Sequence, residues 1–439
     1  MASLKKNSIV SLGFLFLQSG YSAVLGLITN IVITVLAAKD VFGIYSTTLA
    51  TLSLFNYISD VGLAGALIQK KEVSDDDLAT VFTMQQMLIG TLIIIGFIAT
   101  PQVMKLYSLS GDATILYWAV LIGFFISSLK TIPSVLLERT VQFNNIVKVQ
   151  IVENTIFYIL VSVGIIFKLN LLSFALAVIV RAAVGTFLLY RMQPWRPRFL
   201  IAWPRLKALL AFGAPFQANS LLALVKDDLM VLFLGFSLGF QSLGEIMWAK
   251  KWAEAPIRII MDNVTKVLFP LVSRMQDNPE SMKKTVTTTV WVQFMALAPT
   301  VAIAAIVMPY IVEYVPKYSK WASALPLFYI FCIAAVFSTL STPLLNVFNA
   351  LKKPLVPLSF MIFWTIASWV LTPILTLYYG PIGFAYTQLI LSSTFVLILY
   401  LTQRVLGIQI LDFGLVLRTV RESASEAHAA VKSHRNKTL

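Results

Sequence analysis

The sequence predicts an all-α, polytopic membrane protein, and three observations carry that prediction. Hydrophobic residues make up 58% of the 439-residue chain, and the mean hydropathy is +0.82. Charged residues make up only 12%, about half of what soluble domains carry. Apolar runs of the ~20 residues needed to cross a hydrocarbon core follow one another with short polar breaks. "TLIIIGFIATPQVM", "YWAVLIGFFISSL" and "LSFALAVIVRAAVGTFLLY" are three of them. No hydrophilic stretch between the runs is long enough to form a soluble catalytic domain.

The first apolar run follows Lys5 and Lys6 and continues for roughly 30 residues without a small-residue cleavage site, so it reads as a span and not a removed leader. Polar punctuation then marks about twelve spans: 8–37, 42–67, 79–103, 113–137, 147–167, 171–190, 207–236, 242–272, 286–312, 321–349, 355–378 and 381–403. Lysine and arginine fall in alternate loops. Placing the N-terminus inside puts Lys70/Lys71, Arg139/Lys148, the basic stretch from Arg191 to Lys207, Arg274/Lys283/Lys284 and Lys352/Lys353 on the cytoplasmic side. Both termini are then cytoplasmic. The net charge of +14 is explained by topology, and no nucleic-acid partner is expected. The single cysteine, Cys332, lies in an apolar run, which excludes an intrachain disulfide framework and argues against a zinc or iron–sulfur site.

A weak internal duplication divides the spans six and six. Pro133 and Pro343, Phe174–Ala175 and Phe384–Ala385, and Tyr190 and Tyr400 all recur at one common offset, while Gly43 and Gly244 match at a slightly shorter one. Six spans per half gives parallel repeats about an axis along the membrane normal, a transporter arrangement with its site near the midplane. The expected organisation is therefore an N-lobe over 1–198, a C-lobe over 199–404 in pseudo-two-fold relation, and an amphipathic or disordered cytoplasmic tail over 405–439.

Charges inside the spans carry the functional signal, because ionisable groups in hydrocarbon are costly and face protein or water-filled cavities. In "WAKKWAEAPIRIIMDNVTKVLFP", Lys250, Glu254, Arg258, Asp262 and Lys266 recur every fourth residue with alternating sign. Asp60, Lys130, Glu153, Arg181, Lys226, Asp227, Asp228, Glu245 and Lys251 also fall within spans. Mutual charge pairing is the plain structural reading, and a hydrated path for a charged solute is the functional one. Arg181 and Arg258 sit at mid-depth, and a guanidinium fork suits phosphate or carboxylate. They lead the anion-binding candidates, followed by Lys250, Lys251, Lys226, Lys130 and Lys266. Asp60, Glu153, Asp227, Asp228, Glu245, Glu254 and Asp262 are candidates for ion coupling or charge pairing. The "KDD" and "KK" clusters are expected at equal depth on either side of the turn near "GFSLGFQSLG", joined by at least one ion pair. Trp248 and Trp252, one helical turn apart, offer either a sugar-stacking surface or packing. No phosphate-binding loop, zinc-protease motif or serine–histidine pair is present, so neither ATP hydrolysis nor a cofactor is expected in this chain.

Three stretches carry a family resemblance: "GIYSTTLATLSLFNYISDVGLAGALIQKK" (Gly43–Lys71), "DDLMVLFLGFSLGFQSLG" (Asp227–Gly244) and "LFPLVSRMQD" (Leu268–Asp277). They resemble the bacterial O-antigen and exopolysaccharide repeat-unit flippases of the multidrug/oligosaccharidyl-lipid/polysaccharide exporter superfamily. The resemblance implies two six-helix lobes around a cationic cavity in the bacterial inner membrane. It also implies transfer of undecaprenyl-diphosphate-linked oligosaccharide by alternating access, coupled to a proton or sodium gradient, beside a glycan polymerase and export machinery. The tyrosine of the first-half Gly43–Tyr45 pattern is missing from the second half, where Gly244–Glu245–Ile246 stands. A multidrug or metabolite antiporter of the same superfamily and a non-transporting scaffold of a glycan assembly complex stay open as alternatives. Lipid II flippases of the superfamily usually carry two additional spans, and a glycan polymerase or ligase needs a larger external loop than this sequence provides.

Overall fold

A backbone surrounded by hydrocarbon has to satisfy its own hydrogen bonds, and all regular secondary structure among the described residues is helical. The computed structural model describes the backbone of residues 2–60, 62–109, 111–140, 142–275, 279–351 and 353–407. Side chains are described for the same residues except 2–17, 19, 56, 58–60, 211–220, 256–271, 273–274 and 279. The expected tail lies outside them from residue 408 onward.

The helices run α1 (Ala2–Leu36), α2 (Lys39–Asp60), α3 (Leu63–Gln69), α4 (Asp75–Ile98), α5 (Thr100–Leu106), α6 (Asp112–Ser128), α7 (Thr131–Arg139), α8 (Phe143–Ile166) and α9 (Leu171–Met192). They continue as α10 (Trp203–Lys226), α11 (Asp228–Arg274), α12 (Pro279–Tyr314), α13 (Leu325–Ala350), α14 (Leu355–Tyr379), α15 (Pro381–Ser393) and α16 (Phe395–Leu406). Among the described residues, seven stretches are long and apolar enough to cross a membrane, and the bent pair α6–α7 makes an eighth. Their outward residues include Ile94, Ile98, Phe187, Ile303 and Leu377, all exposed. So much exposed apolar surface is the mark of lipid contact, and the chain is a multi-pass membrane protein. Helices α2, α10 and α11 are more polar, carrying the "YSTT", "PRLK" and "KKWAE" segments.

Breaks within spans have identifiable causes. Gly62 adopts φ 76° between α2 and α3, and Gly239 adopts φ 77° inside α11, a region open chiefly to glycine. The 41° bend between α6 and α7 follows from Pro133, whose ring excludes the carbonyl four residues earlier, that of Leu129. That freed carbonyl accepts a hydrogen bond from Tyr190 Oη at 2.9 Å. Lys130 sits at the break, as the residue that precedes α7.

Contacts divide the chain into two units, Met1–Met247 and Trp248–Leu439, meeting inside α11. In the first, α8 packs between α1 and α9, α6 packs on α9 and α4, and α10 lies against α2, α3 and α4. The basic linker before α10 is tied down. Leu200 N–H donates to Thr83 Oγ1 at 2.9 Å, Ala202 N–H donates to Thr80 Oγ1 at 3.2 Å, and Trp195 packs edge-on to Phe82. Arg139 at the end of α7 donates to the carbonyls of Leu67, Ile68, Lys70 and Lys71, satisfying acceptors at the C-terminus of α3 that no helical bond reaches.

In the second unit α13 packs against α12, α14, α15 and α16. Its core includes Trp248, fully buried and stacked on Trp321 at 5.2 Å, with its indole N–H donating to Tyr318 Oη at 3.2 Å. Trp248 is therefore a packing residue.

Candidate functional site

The first unit encloses a cavity of about 300 Å3 between α2, α4, α6–α7, α8 and α9. Helical periodicity assembles it. Tyr45, Thr48 and Leu52 share one face of α2, Glu153 and Phe157 one face of α8, and Val178, Arg181 and Ala182 one face of α9. The α6–α7 break supplies Ser127, Ser128, Lys130 and Thr131.

Three of the sequence-predicted residues meet here. Lys130 Nζ forms an ion pair with Glu153 Oε1, and Glu153 is only 4% exposed. Glycine at 185 makes this possible, since a Cβ there would lie 1.5 Å from that same carboxylate oxygen. Arg181 places its guanidinium 5.4 Å from the centroid of the Phe157 ring. Among the described residues no carboxylate lies within ion-pair distance of it. Two bases and one acid leave one uncompensated positive charge in the lining. Gln85, 6% exposed, adds a side-chain oxygen with no hydrogen-bond partner. Tyr45 is held by stacking on Phe174 at 4.5 Å. A guanidinium without a carboxylate partner and a lysine in one recess form a pair suited to a multiply charged oxyanion.

The other predicted residues lie elsewhere. Lys226 pairs with its neighbour Asp227 at 2.5 Å at the α10–α11 junction, and Asp228 accepts from Ser53 Oγ at 2.7 Å. Glu245 pairs with Lys39 at 2.5 Å. That pair sits beside a close crossing of α2 and α11, where a Cβ on Gly43 would come within 2.1 Å of the Phe240 carbonyl oxygen and one on Gly244 within 2.0 Å of that of Lys39. In the second unit Lys250 and Glu254 are 3.9 Å apart, one turn along α11, and Lys250 Nζ lies 5.9 Å from the Phe384 ring centroid. Lys251 is exposed. The side chains of Asp60, Arg258, Asp262 and Lys266 lie outside the described residues. Sequence reasoning missed Lys39, Ser53, Gln85 and Gly185. Of these, only Lys39 carries a charge that could have drawn notice, and it falls in the turn between the first two predicted spans.

An all-helical, multi-pass protein of broken, charge-bearing spans is the class this fold defines. The chain belongs to the polysaccharide biosynthesis protein family, whose sequence pattern matches residues 32–326. The lipopolysaccharide biosynthesis protein WzxC of Escherichia coli (strain K12) is 24% identical over 78% of this chain and 69% of its own length. Among solved structures, the lipid II flippase MurJ in an inward closed conformation superposes with a TM-score of 0.75 at 13% identity, covering 90% of this chain and 87% of that one. An inward-facing multidrug resistance MATE family transporter of the MOP superfamily gives 0.68 at 15% identity, over 92% and 99%. These neighbours are a flippase and a transporter, and this membrane protein of the polysaccharide biosynthesis family shares their fold.

Proposed function

We propose that the protein flips undecaprenyl-diphosphate-linked oligosaccharide repeat units across the bacterial inner membrane by alternating access of two six-helix lobes. In this reading twelve spans cross the membrane, both termini are cytoplasmic, and an H+ or Na+ gradient drives the cycle. The lobes correspond to 1–198 and 199–404. Membrane lipids surround the protein, and a glycan polymerase and export machinery act beside it on the same product.

The observation that carries this reading is Arg181, a guanidinium without a carboxylate partner in a recess that also holds Lys130. An uncompensated cation at membrane depth is costly, and a diphosphate offers the charge and the fork geometry to satisfy it. Membership of the polysaccharide biosynthesis family supports a glycan-bearing substrate in this reading. The test is transfer of a fluorescent undecaprenyl-diphosphate oligosaccharide in proteoliposomes. Wild type is expected to flip it, and folded Arg181→Ala to lose most of that activity. Equal rates would remove Arg181 from the mechanism. A wild type inert under both proton and sodium gradients would favour a scaffold, or an antiporter for another solute.

A further inference from the structure

A second cavity, of about 240 Å3, adjoins the charged one within the first unit. Along α6 it takes the first half, from Ala113 to Val120, while the charged cavity takes Gly123 to Ser128. Thr48 of α2 lines both. The rings of Phe55 and Phe124, 5.4 Å apart, stand between them, Phe55 lining the second cavity and Phe124 the first.

The two cavities are chemically opposite. No charged side chain lines the second. Its hydroxyls all donate to backbone: Thr47 to Gly43 O at 3.1 Å, Thr48 to Ile44 O at 2.9 Å, and Thr51 to Thr47 O at 2.9 Å. Tyr107 donates to Leu232 O at 3.1 Å and Tyr117 to Gly96 O at 2.8 Å. Water or a sugar needs several free polar partners, and the hydroxyl donors here are already used. What remains facing the space is methyl, aromatic and thioether surface, which suits a hydrocarbon.

We infer that this cavity receives the first isoprenoid units of a lipid whose diphosphate lies on Arg181 and Lys130 next door. The inference rests on the flippase reading for the identity of that lipid. Continuity through Thr48 sets an anion site and a hydrocarbon site side by side, as diphosphate and first prenyl units are joined in one molecule. At protein packing density the volume accepts about two five-carbon units. Surrounding lipid is as apolar as the cavity, so a chain leaving the bilayer gains close contact with a cavity of fitting shape, while a short-chain diphosphate arriving from water also gains by burying its chain.

The test is calorimetric titration of the full-length, detergent-solubilised protein with inorganic pyrophosphate and with isopentenyl, geranyl and farnesyl diphosphates. Affinity is expected to rise through geranyl by about tenfold over pyrophosphate, the low end of what filling an apolar pocket supplies, and to level off at farnesyl. A gain that continues equally with each unit is the signature of micelle partitioning and would overturn the assignment. Thr51→Phe, or Ala113→Leu as a second filling variant, is expected to bring the geranyl-to-pyrophosphate ratio close to one without changing pyrophosphate binding. An unchanged ratio in a folded variant overturns it. Decyl diphosphate binding as tightly as geranyl diphosphate would assign the cavity to straight acyl chains and overturn the isoprenoid preference. Pyrophosphate binding that shows no chain-length gain defeats the second cavity alone. Absence of pyrophosphate binding defeats the anion site and this inference with it.

Discussion

Gly185→Ala tests the architecture of the charged cavity with one methyl group. The added Cβ would fall 1.5 Å from Glu153 Oε1, 2.3 Å from its Cδ and 2.7 Å from its Cγ. All three close approaches are to one flexible side chain, so the backbone stays and the carboxylate leaves Lys130. Breaking a buried ion pair costs ~3–5 kcal/mol. The Lys130 side chain is 23% exposed and that of Glu153 5%, and water at the lysine end reduces this to ~2–3 kcal/mol. The apparent melting temperature of the solubilised protein should fall by about 2–3 °C. Glu153→Ala should produce a similar fall by leaving Lys130 without its partner. In the Glu153→Ala background the clash is gone, and Gly185→Ala should stabilise by ~0.5–1 kcal/mol through the lower backbone entropy of alanine in a helix. This reversal of sign is the decisive feature of the cycle. A Gly185→Ala protein as stable as wild type, or one destabilised equally with and without Glu153, would refute the geometry.

Two further substitutions probe the first unit. Gly244→Ala places a methyl group 2.0 Å from the backbone oxygen of Lys39, which cannot yield without separating α2 from α11. Folded yield should drop sharply, whereas Gly90→Ala, with no atom within 4 Å of the added carbon, should match wild type in size-exclusion profile and melting temperature. Arg139→Gln removes the guanidinium that gathers four carbonyls around the end of α3, and trypsin should then cut after Lys70 or Lys71 several times faster.

Much of this fold was legible because hydrocarbon constrains a chain strongly. Apolar runs separated by short polar breaks located the helical segments, and the glycine-rich turn near residue 239 divides α11 where the sequence put a boundary. Local charge patterns were legible too: Lys250 and Glu254, four residues apart, lie within ion-pair distance. The cavity was only half legible. Lys130, Glu153 and Arg181 each stood out as a charge in a span, but they occupy different helical segments. Their meeting depends on the break caused by Pro133 and on a missing side chain at Gly185. Neither effect has a signature within a single helix. Gly43 and Gly244 show the same limit from the other side. Sequence reading paired them as equivalent positions in two repeats, whereas the structure brings them face to face at one crossing, where neither tolerates a Cβ.

The charges in the first unit carry two different kinds of information. The Lys130–Glu153 pair is compensated, and such a pair adds little stability that apolar side chains could not supply. Its presence beside Arg181 is better understood through the field it sets up. Glu153 neutralises one base and leaves the other, so the recess keeps a single excess positive charge beside hydroxyls and an unpartnered amide oxygen. A more cationic recess would be harder to bury in a membrane protein, and a neutral one would have no preference for anions. The size matters equally. About 300 Å3 is the lower bound of ordinary small-molecule sites, enough for a diphosphate but not for an oligosaccharide. Under the flippase reading, this cavity therefore recognises the part common to all undecaprenyl-diphosphate-linked glycans. The sugars are left to other surfaces, so selectivity for a particular repeat unit must originate outside the residues that hold the charge.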